Sequence, residues 1–186
     1  MKREVVLFFA IFGTMPAVAG DTELSLYRPL TETDTHPAVE RVIKKNGQCL
    51  TQSERIKRED AWHCEAEGIV YDPCFVAPYG SHLEAICPES PWSHQGVQIS
   101  VASPLDNSNH QTLDMSRTYP WAIELTNGEK CEAVVTTKEY DGLPVRYRCE
   151  KQSELIGHVQ RCNSTWKILQ HAANGVDTVE IAKAWF

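Results

Sequence analysis

Residues 121–149 read WAIELTNGEKCEAVVTTKEYDGLPVRYRC, and this stretch decides the fold. Apolar and polar residues alternate on either side of Asn127-Gly128, and they alternate again on either side of Tyr140-Asp141-Gly142. Alternation with a period of two places every second side chain on the same face of a strand. The stretch therefore predicts consecutive antiparallel β-hairpins joined by glycine-containing turns.

The register of the first hairpin follows from the requirement that apolar residues face apolar residues. A two-residue loop at Asn127-Gly128 would place Ile123 opposite Glu132. A three-residue loop that ends at Gly128 places Ile123 opposite Cys131 instead. We therefore expect a glycine bulge at Gly128.

The second hairpin predicts a disulfide bond. A centre at Tyr140 places Cys131 directly opposite Cys149, and the Cβ atoms of such a pair point the same way, as a disulfide requires. The same register puts six residues on one face of the sheet: Cys131, Ala133, Val135, Val145, Tyr147 and Cys149.

A third hairpin is predicted around Asn174-Gly175. A two-residue loop there places Ile168 opposite Ile181, so that apolar residues again face each other. Together with the hairpins above, it indicates an antiparallel C-terminal sheet of about five strands.

The N-terminal half carries weaker periodic signals. Pro37–Lys45 predicts a short helix, because three apolar residues fall on one side and Gly47 follows the end. Residues 48–92 contain four cysteines and few periodic runs, which indicates a loop-rich half held by disulfides. Residues 103–118 are polar and predict a long connection, the best candidate for a mobile loop. The predicted fold class is a β-rich α+β protein.

The first 19 residues have the three parts of a secretory signal peptide. Lys2 and Arg3 form the positive region, Val5–Met15 is the apolar run, and Ala17-Val18-Ala19 supplies the small residues of a cleavage site. The apolar run is shorter than the roughly 20 residues that a membrane-spanning helix needs. We therefore expect a periplasmic or secreted protein that does not span a membrane. Behind the signal peptide (1–19) we expect a flexible arm (20–36) and one disulfide-stabilised domain (37–186).

All seven cysteines lie in the part of the chain that would be exported. An oxidising compartment converts such cysteines to disulfides by default. None has the C-x2-C spacing that is typical of zinc sites and thioredoxin-like redox motifs, so we predict no metal and no cofactor. Because seven is odd, one thiol is left over or joins two chains.

The net charge and the absence of catalytic motifs argue against several functional classes. The chain carries 18 Lys and Arg against 25 Asp and Glu, a net charge of −7, with no basic cluster along the sequence. Such a chain is a poor candidate for binding nucleic acid or an anionic membrane surface. Ser53, Asp60 and His63 are the residue types of a hydrolase triad, but the G-x-S-x-G turn is absent. We therefore assign no catalytic residue.

The chain resembles small secreted bacterial cysteine-rich proteins without an assigned activity. The resemblance covers roughly residues 47–186 and implies a fold rather than a chemistry. Cys162 lies outside the shared pattern, which makes it the candidate for the free thiol. The pattern consists of Cys49, Arg58-x-Asp60-Ala61-x-x-Cys64, Asp72-Pro73-Cys74-Phe75, Cys87, Asn127-Gly128-x-x-Cys131, Tyr147-x-Cys149 and Ala184-Trp185-Phe186.

These observations favour a non-enzymatic binding protein of the bacterial envelope, of the inhibitor, immunity or adhesion type. Its expected partner is a protein or another envelope macromolecule. Trp62, Tyr79 and Trp92 lie in the loop-rich half, and we expect them to line the binding surface. An exported hydrolase without a recognisable motif is the alternative.

Overall fold

The computed structural model describes residues 20–29 and 39–186, and these residues form strands, turns and loops without a helix. The predicted signal peptide lies outside them. The predicted α+β class is therefore wrong, because the described chain is all-β. Its strands are β1 (Glu23–Ser25), β2 (Arg41–Asn46), β3 (Gln48–Gln52), β4 (Ala61–Ala66), β5 (Ile69–Val76), β6 (Glu84–Pro88), β7 (Gln95–Ser100), β8 (Ala122–Leu125), β9 (Lys130–Ala133), β10 (Glu139–Tyr140), β11 (Leu143–Cys149), β12 (Glu154–Gln160), β13 (Trp166–Ala172) and β14 (Gly175–Trp185).

The described part of the predicted helix, Val39–Lys45, lies mostly in a strand. β2 pairs in parallel with β7, from Arg41 opposite Gln95 to Asn46 opposite Ser100. Val42 and Ile43 follow a helical period, but both are β-branched and suit a strand. Because β7 offers a partner, pairing across the fold overrides the local pattern.

The C-terminal half is a closed six-stranded barrel rather than a sheet of about five strands. Its strands follow the order β8-β9-β11-β12-β13-β14, and β14 returns to pair with β8. β14 is 11 residues long, so its first part pairs with β13 and its last part pairs with β8. Alternation relates each strand only to its neighbour in sequence, so it does not indicate that β14 returns to β8.

The predicted loop-rich half is a six-stranded sheet with the order β2-β7-β6-β5-β4-β3. Only Gly47 separates β2 from β3, so the two outer strands of this sheet are consecutive in the chain and the sheet rolls up. We call this unit the rolled sheet. Disulfide Cys49–Cys64 joins β3 to β4, and Cys74–Cys87 joins β5 to β6.

Gly47 makes this bend because no side chain fits there. A Cβ atom at Gly47 would lie 2.3 Å from the carbonyl oxygen of Glu65 and 2.9 Å from the Cβ of Ala66. The Gly47 amide also donates a hydrogen bond to the carbonyl of Ser100, at 3.0 Å. Close backbone approach, rather than a turn, therefore requires glycine at this position.

One hydrophobic core joins the rolled sheet to the barrel. Phe75 of β5 packs on Trp121 with 5.9 Å between ring centroids, and Tyr27 packs on the same indole at 5.3 Å. Tyr27 follows β1, which pairs in parallel with the end of β14. The segment expected to be a flexible arm therefore contributes a strand and a core residue over its described part, 20–29.

The buried side chain of Arg58 forms hydrogen bonds that link the rolled sheet to the end of the barrel. The side chain of Arg58 is 3% exposed, and its Nη1 donates to the carbonyls of Tyr27 (2.6 Å) and Phe186 (2.8 Å). Its Nε and Nη2 bind both carboxylate oxygens of Asp60, and its guanidinium lies 4.6 Å from the ring centroid of Phe75. Asp60 is thus the partner of Arg58 and not part of a triad with Ser53 and His63.

The structure has the predicted register of the first hairpin, but the second hairpin has its predicted register only at the Cys131–Cys149 end, because Tyr140 pairs with Leu143 instead of forming the centre of the turn. Ile123 faces Cys131 and Gly128 has a φ of 79°, as the bulge requires. Cys131 faces Cys149, and the two form a disulfide bond with Cα atoms 3.9 Å apart. Val135 departs from the prediction, because its side chain is 62% exposed and does not share the buried face.

The third hairpin has a different register from the predicted one. Ile168 faces Val179, and Ala172 faces Gly175, so the loop consists of residues 173 and 174. Compared with the predicted register, the turn lies one residue closer to the N-terminus, and every side chain stays on the face of the sheet that was predicted for it. Alternation alone could not distinguish the two, because both set apolar residues opposite apolar residues.

The long connection between β7 and β8 is held to both units. His110 Nδ1 lies 2.9 Å from the carbonyl of Glu59. Arg161 donates to the carbonyls of Met115 and Thr118, each at 2.8 Å. The predicted mobile loop is therefore tied down on both sides, and it covers one side of the junction between barrel and rolled sheet.

Candidate functional site

The three aromatic residues predicted to bind a partner do not form one surface. Trp62 is 5% exposed and lies in the core of the rolled sheet, against the ring of His110. Trp92 packs edge-to-face on Trp185 at 5.4 Å, beside the barrel core. Tyr79 is 82% exposed on the turn that follows β5. The two tryptophans thus contribute mainly to packing.

Ser53, His63 and Asp72 come together, but not in the order of a hydrolase triad. The buried Ser53 hydroxyl donates to one Asp72 oxygen and accepts from the amides of Arg55 and Ile56, each at 3.1 Å. The other Asp72 oxygen lies 3.2 Å from His63 Nδ1. In a triad the histidine lies between serine and carboxylate, whereas here the carboxylate lies in the middle. This arrangement orders the turn after β3.

Two adjoining cavities lie between the rolled sheet and the barrel. Their volumes are about 300 and 380 Å³, and they share Glu54, Arg55 and Val134, so we treat them as one groove. One wall is formed by the turn after β3 and by β4 and β5. The other is formed by the chain leaving β9 and by β11. The lining residues are Glu54, Arg55, Lys57, His63, Val70, Asp72, Gln111, Arg117, Thr118, Tyr119, Ala133, Val134, Val135, Thr136, Arg146, Tyr147 and Arg148.

The groove is cationic although the chain is acidic. Five of its lining residues are Lys or Arg, against two carboxylates, Glu54 and Asp72. Asp72 is already engaged by Ser53, by His63 and by the amide of Glu54. Positive charge therefore dominates the surface that a ligand would meet.

Arg146 and Arg148 supply the positive charge that is least neutralised. Neither forms an ion pair within the part of the chain that the structure describes. The Nε of Arg146 is buried and has no hydrogen-bond partner among those residues, while its guanidinium lies 4.8 Å from the ring centroid of Tyr119. The Arg148 side chain is exposed in the groove lining, so its charge is accessible to an anion there.

Arg55 and Arg117 are only loosely engaged, whereas Lys57 Nζ donates to the carbonyl of Ser53 at 2.8 Å. Arg55 lies 3.5 Å from Glu132, and Arg117 Nε lies 3.8 Å from Asp114 with its side chain 88% exposed. Burial raises the pKa of the Glu132 carboxyl, since it disfavours the charged form more than the nearby Arg55 favours it. Such contacts leave the arginines able to bind an incoming anion.

Sequence analysis missed this site because its residues are dispersed. The five cations are at positions 55, 57, 117, 146 and 148, and they come from three separate segments. No basic cluster exists along the sequence, but the fold brings these five cations together around one groove. Arg146 and Arg148 did carry one signal: they alternate with the predicted buried residues of β11 and so share its outer face.

The sulfur atoms of Cys64, Cys74 and Cys87 lie within 4.8 Å of one another, but all three are in disulfides and offer no thiolate to a metal. Cys162 is exposed and unpaired. Disulfide bonding as such is thus confirmed, with three bonds among the described residues. Several disulfides are consistent with an extracellular or periplasmic location.

Alkylation of unfolded, unreduced protein should label one cysteine per chain, and peptide mapping should place the label on Cys162. The reason is that the other six sulfurs are bonded to each other. A Cys162→Ala variant is the control and should take up no label. Labelling of two or more cysteines per chain in the oxidised protein would contradict this disulfide pattern.

Comparison of the chain with protein-family models, with curated proteins and with solved structures finds no match. The residues that the structure describes contain no helix long and apolar enough to cross a membrane. Function must therefore be argued from the groove itself.

Proposed function

We propose that the protein is an exported, non-enzymatic binding protein of the bacterial envelope, and that the groove binds an anionic group of a macromolecular partner. The observation that carries the proposal is the set of five cations that line one groove, among which Arg146 and Arg148 form no ion pair with the described residues. The signal-peptide pattern of residues 1–19 and the three disulfides support export to the periplasm or the medium.

Because the whole chain is negatively charged, the groove should bind only anions that make close contacts with its cations, rather than anions in general. A net charge of −7 repels anions at distances beyond the groove. Binding must then come from short-range contacts with the arginines, and it should weaken as salt is added. The groove extends over two adjoining cavities with a combined volume of several hundred Å³, which suits part of a polymer better than a small ion.

The double substitution Arg117→Gln with Arg148→Gln should weaken binding of a carboxylate polymer about fivefold. Both side chains are exposed, and each exposed charge contact contributes roughly 0.2–1 kcal/mol. Polyglutamate and polygalacturonate serve as probes, with Kd measured by calorimetry at low and at physiological salt.

The matched control is Arg41→Gln with Lys44→Gln, which removes the same charge from exposed positions on β2, outside the groove lining. Its Kd should stay within about twofold of the parent value. Equal weakening by both double variants would show that binding follows net charge, and absence of binding to both polymers at low salt would reject the proposed function.

A further inference from the structure

His63 lies at one end of the groove, where the fixed charges of the cavity walls cancel. The cavity that His63 lines is also lined by two arginines, Arg55 and Arg148, and by two carboxylates, Glu54 and Asp72. The adjoining cavity differs, because four Lys and Arg residues line it against one carboxylate. The protonation state of His63 therefore decides whether its end of the groove carries a net positive charge.

A carboxylate determines which nitrogen of the His63 ring carries a hydrogen. His63 Nδ1 lies 3.2 Å from one oxygen of Asp72, and the same oxygen accepts from the amide of Glu54 at 2.9 Å. The other oxygen accepts from the Ser53 hydroxyl. Because a carboxylate only accepts hydrogen bonds, Nδ1 is the donor in its contact with Asp72. The neutral ring consequently has its hydrogen on Nδ1 and a lone pair on Nε2.

The second ring nitrogen, Nε2, is accessible from the cavity that the ring lines. It has no hydrogen-bond partner within residues 20–29 and 39–186, and it is not enclosed, in contrast to the buried Nε2 of His82. The side chain of His63 is 24% exposed, whereas that of Asp72 is only 8% exposed. A ligand in the groove can thus reach Nε2 of His63 while Asp72 holds the other side of the ring.

We infer that His63 is a proton-dependent binding residue of the groove. Its neutral form presents a lone pair to a bound anion, and its protonated form donates a hydrogen bond from Nε2 to that anion. The proton comes from water and adds to Nε2, while Nδ1 keeps its contact with Asp72. This inference rests on the proposed function, because it names the residue that regulates anion binding at the same site.

The groups around His63 were considered from every element that packs against it. Thr51, its partner on β3, and residues 134–136 on the barrel side carry no titratable group. Carboxylates and arginines ordinarily keep their charge between about pH 5 and pH 8, the range in which histidine changes charge. The charged groups around His63 are Glu65 on its own strand, Asp72 on β5, Glu54 and Arg55 in the turn after β3, and Arg148 on β11.

The test measures Kd for dextran sulfate by calorimetry at pH 5.5 and at pH 8, at constant ionic strength. Sulfate esters stay ionised at both pH values, so any difference comes from titration of the protein. The parent protein should bind at least about fivefold more tightly at pH 5.5, because it gains one hydrogen bond from a charged donor. His63→Gln should reduce this ratio to about twofold or less, since glutamine is polar but gains no proton.

Two further histidine variants separate this effect from the general effect of pH on the charge of the protein. His94→Gln removes an exposed histidine outside the groove lining and should keep the full pH dependence. His158→Gln removes the histidine that contacts the hydroxyl of Tyr119, a residue that lines the adjoining cavity. It should also keep the full pH dependence, because His158 itself does not line the groove.

Nitrogen-15 spectra of the His63 ring give a measurement that needs no substitution. An anion that binds the protonated ring more tightly must, by reciprocity, keep the ring protonated to a higher pH. For a fivefold preference, saturating dextran sulfate should raise the pH at which His63 is half protonated by about 0.7. The spectra should also show that the neutral ring carries its hydrogen on Nδ1.

Equal pH dependence in the parent protein and in His63→Gln, or its loss only in His158→Gln, would overturn the inference. An unchanged titration of His63 on addition of the polymer would do the same. Binding that ignores pH but weakens in the Arg117→Gln, Arg148→Gln double variant would leave the proposed function standing and reject only the role of His63. Absence of binding at both pH values would reject the proposed function, and the inference with it.

Discussion

Replacement of Arg58 by methionine should lower the free energy of unfolding by about 3–5 kcal/mol, the range expected when one partner of a buried ion pair is removed. Arg58 donates to the carbonyls of Tyr27 and Phe186 and to both oxygens of Asp60. Methionine keeps the apolar length of the side chain but removes all four of these hydrogen bonds, and of the acceptors only the Phe186 carbonyl keeps another donor, the amide of Tyr27. Urea denaturation followed by tryptophan fluorescence measures the change.

Two further variants separate charge from geometry. Arg58→Lys keeps the positive charge but cannot form the planar fork, so it should lose at least half as much stability as Arg58→Met. Arg41→Met changes an exposed arginine on β2 and should stay within about 0.5 kcal/mol of the parent protein. A loss below about 1 kcal/mol for Arg58→Met would contradict the role of this residue in joining the two units.

Removal of the barrel disulfide should cost about 2–5 kcal/mol, measured on the Cys131→Ala, Cys149→Ala double variant. The bond closes a loop between residues that are 18 apart in sequence, for which loss of chain entropy alone accounts for roughly 3 kcal/mol. Both cysteines are also buried in the barrel core, with exposures of 0% and 5%, so truncation leaves unfilled volume. We therefore expect a value in the upper part of this range.

Cys162→Ala is the matched control for this variant, because it removes an exposed and unpaired thiol. Its stability should lie within about 0.5 kcal/mol of the parent protein. If the double variant unfolds at the same urea concentration as this control, the disulfide contributes nothing, and the loop-entropy argument fails for this barrel.

Sequence analysis succeeded where a relationship was local and one face was buried. The pairing of Cys131 with Cys149 follows from alternation, because a one-residue slip would send every second side chain to the wrong face. The same reasoning could not separate registers that differ by two, which is why the hairpin after Ile168 was placed one residue too late.

Contacts between segments that are far apart in the sequence could not be predicted from local patterns. The bend at Gly47 depends on the carbonyl of Glu65 and the side chain of Ile99, and nothing near Gly47 in sequence indicates them. Val42 and Ile43 were assigned to a helix because their spacing fits one and their parallel partner, β7, is about 50 residues away. The groove was missed for the same reason, since Arg55 and Arg146 meet only after both units have folded.

The return of β14 to β8 has a consequence for the kinetics of folding. It pairs Ala122 with Trp185, about 60 residues away, whereas each hairpin of the barrel pairs residues much closer in sequence. Closing a long loop costs chain entropy before any contact repays it, so pairing of distant strands is slow. The hairpins, including the one that carries Cys131 and Cys149, should therefore form early, and the barrel should close in the rate-limiting step.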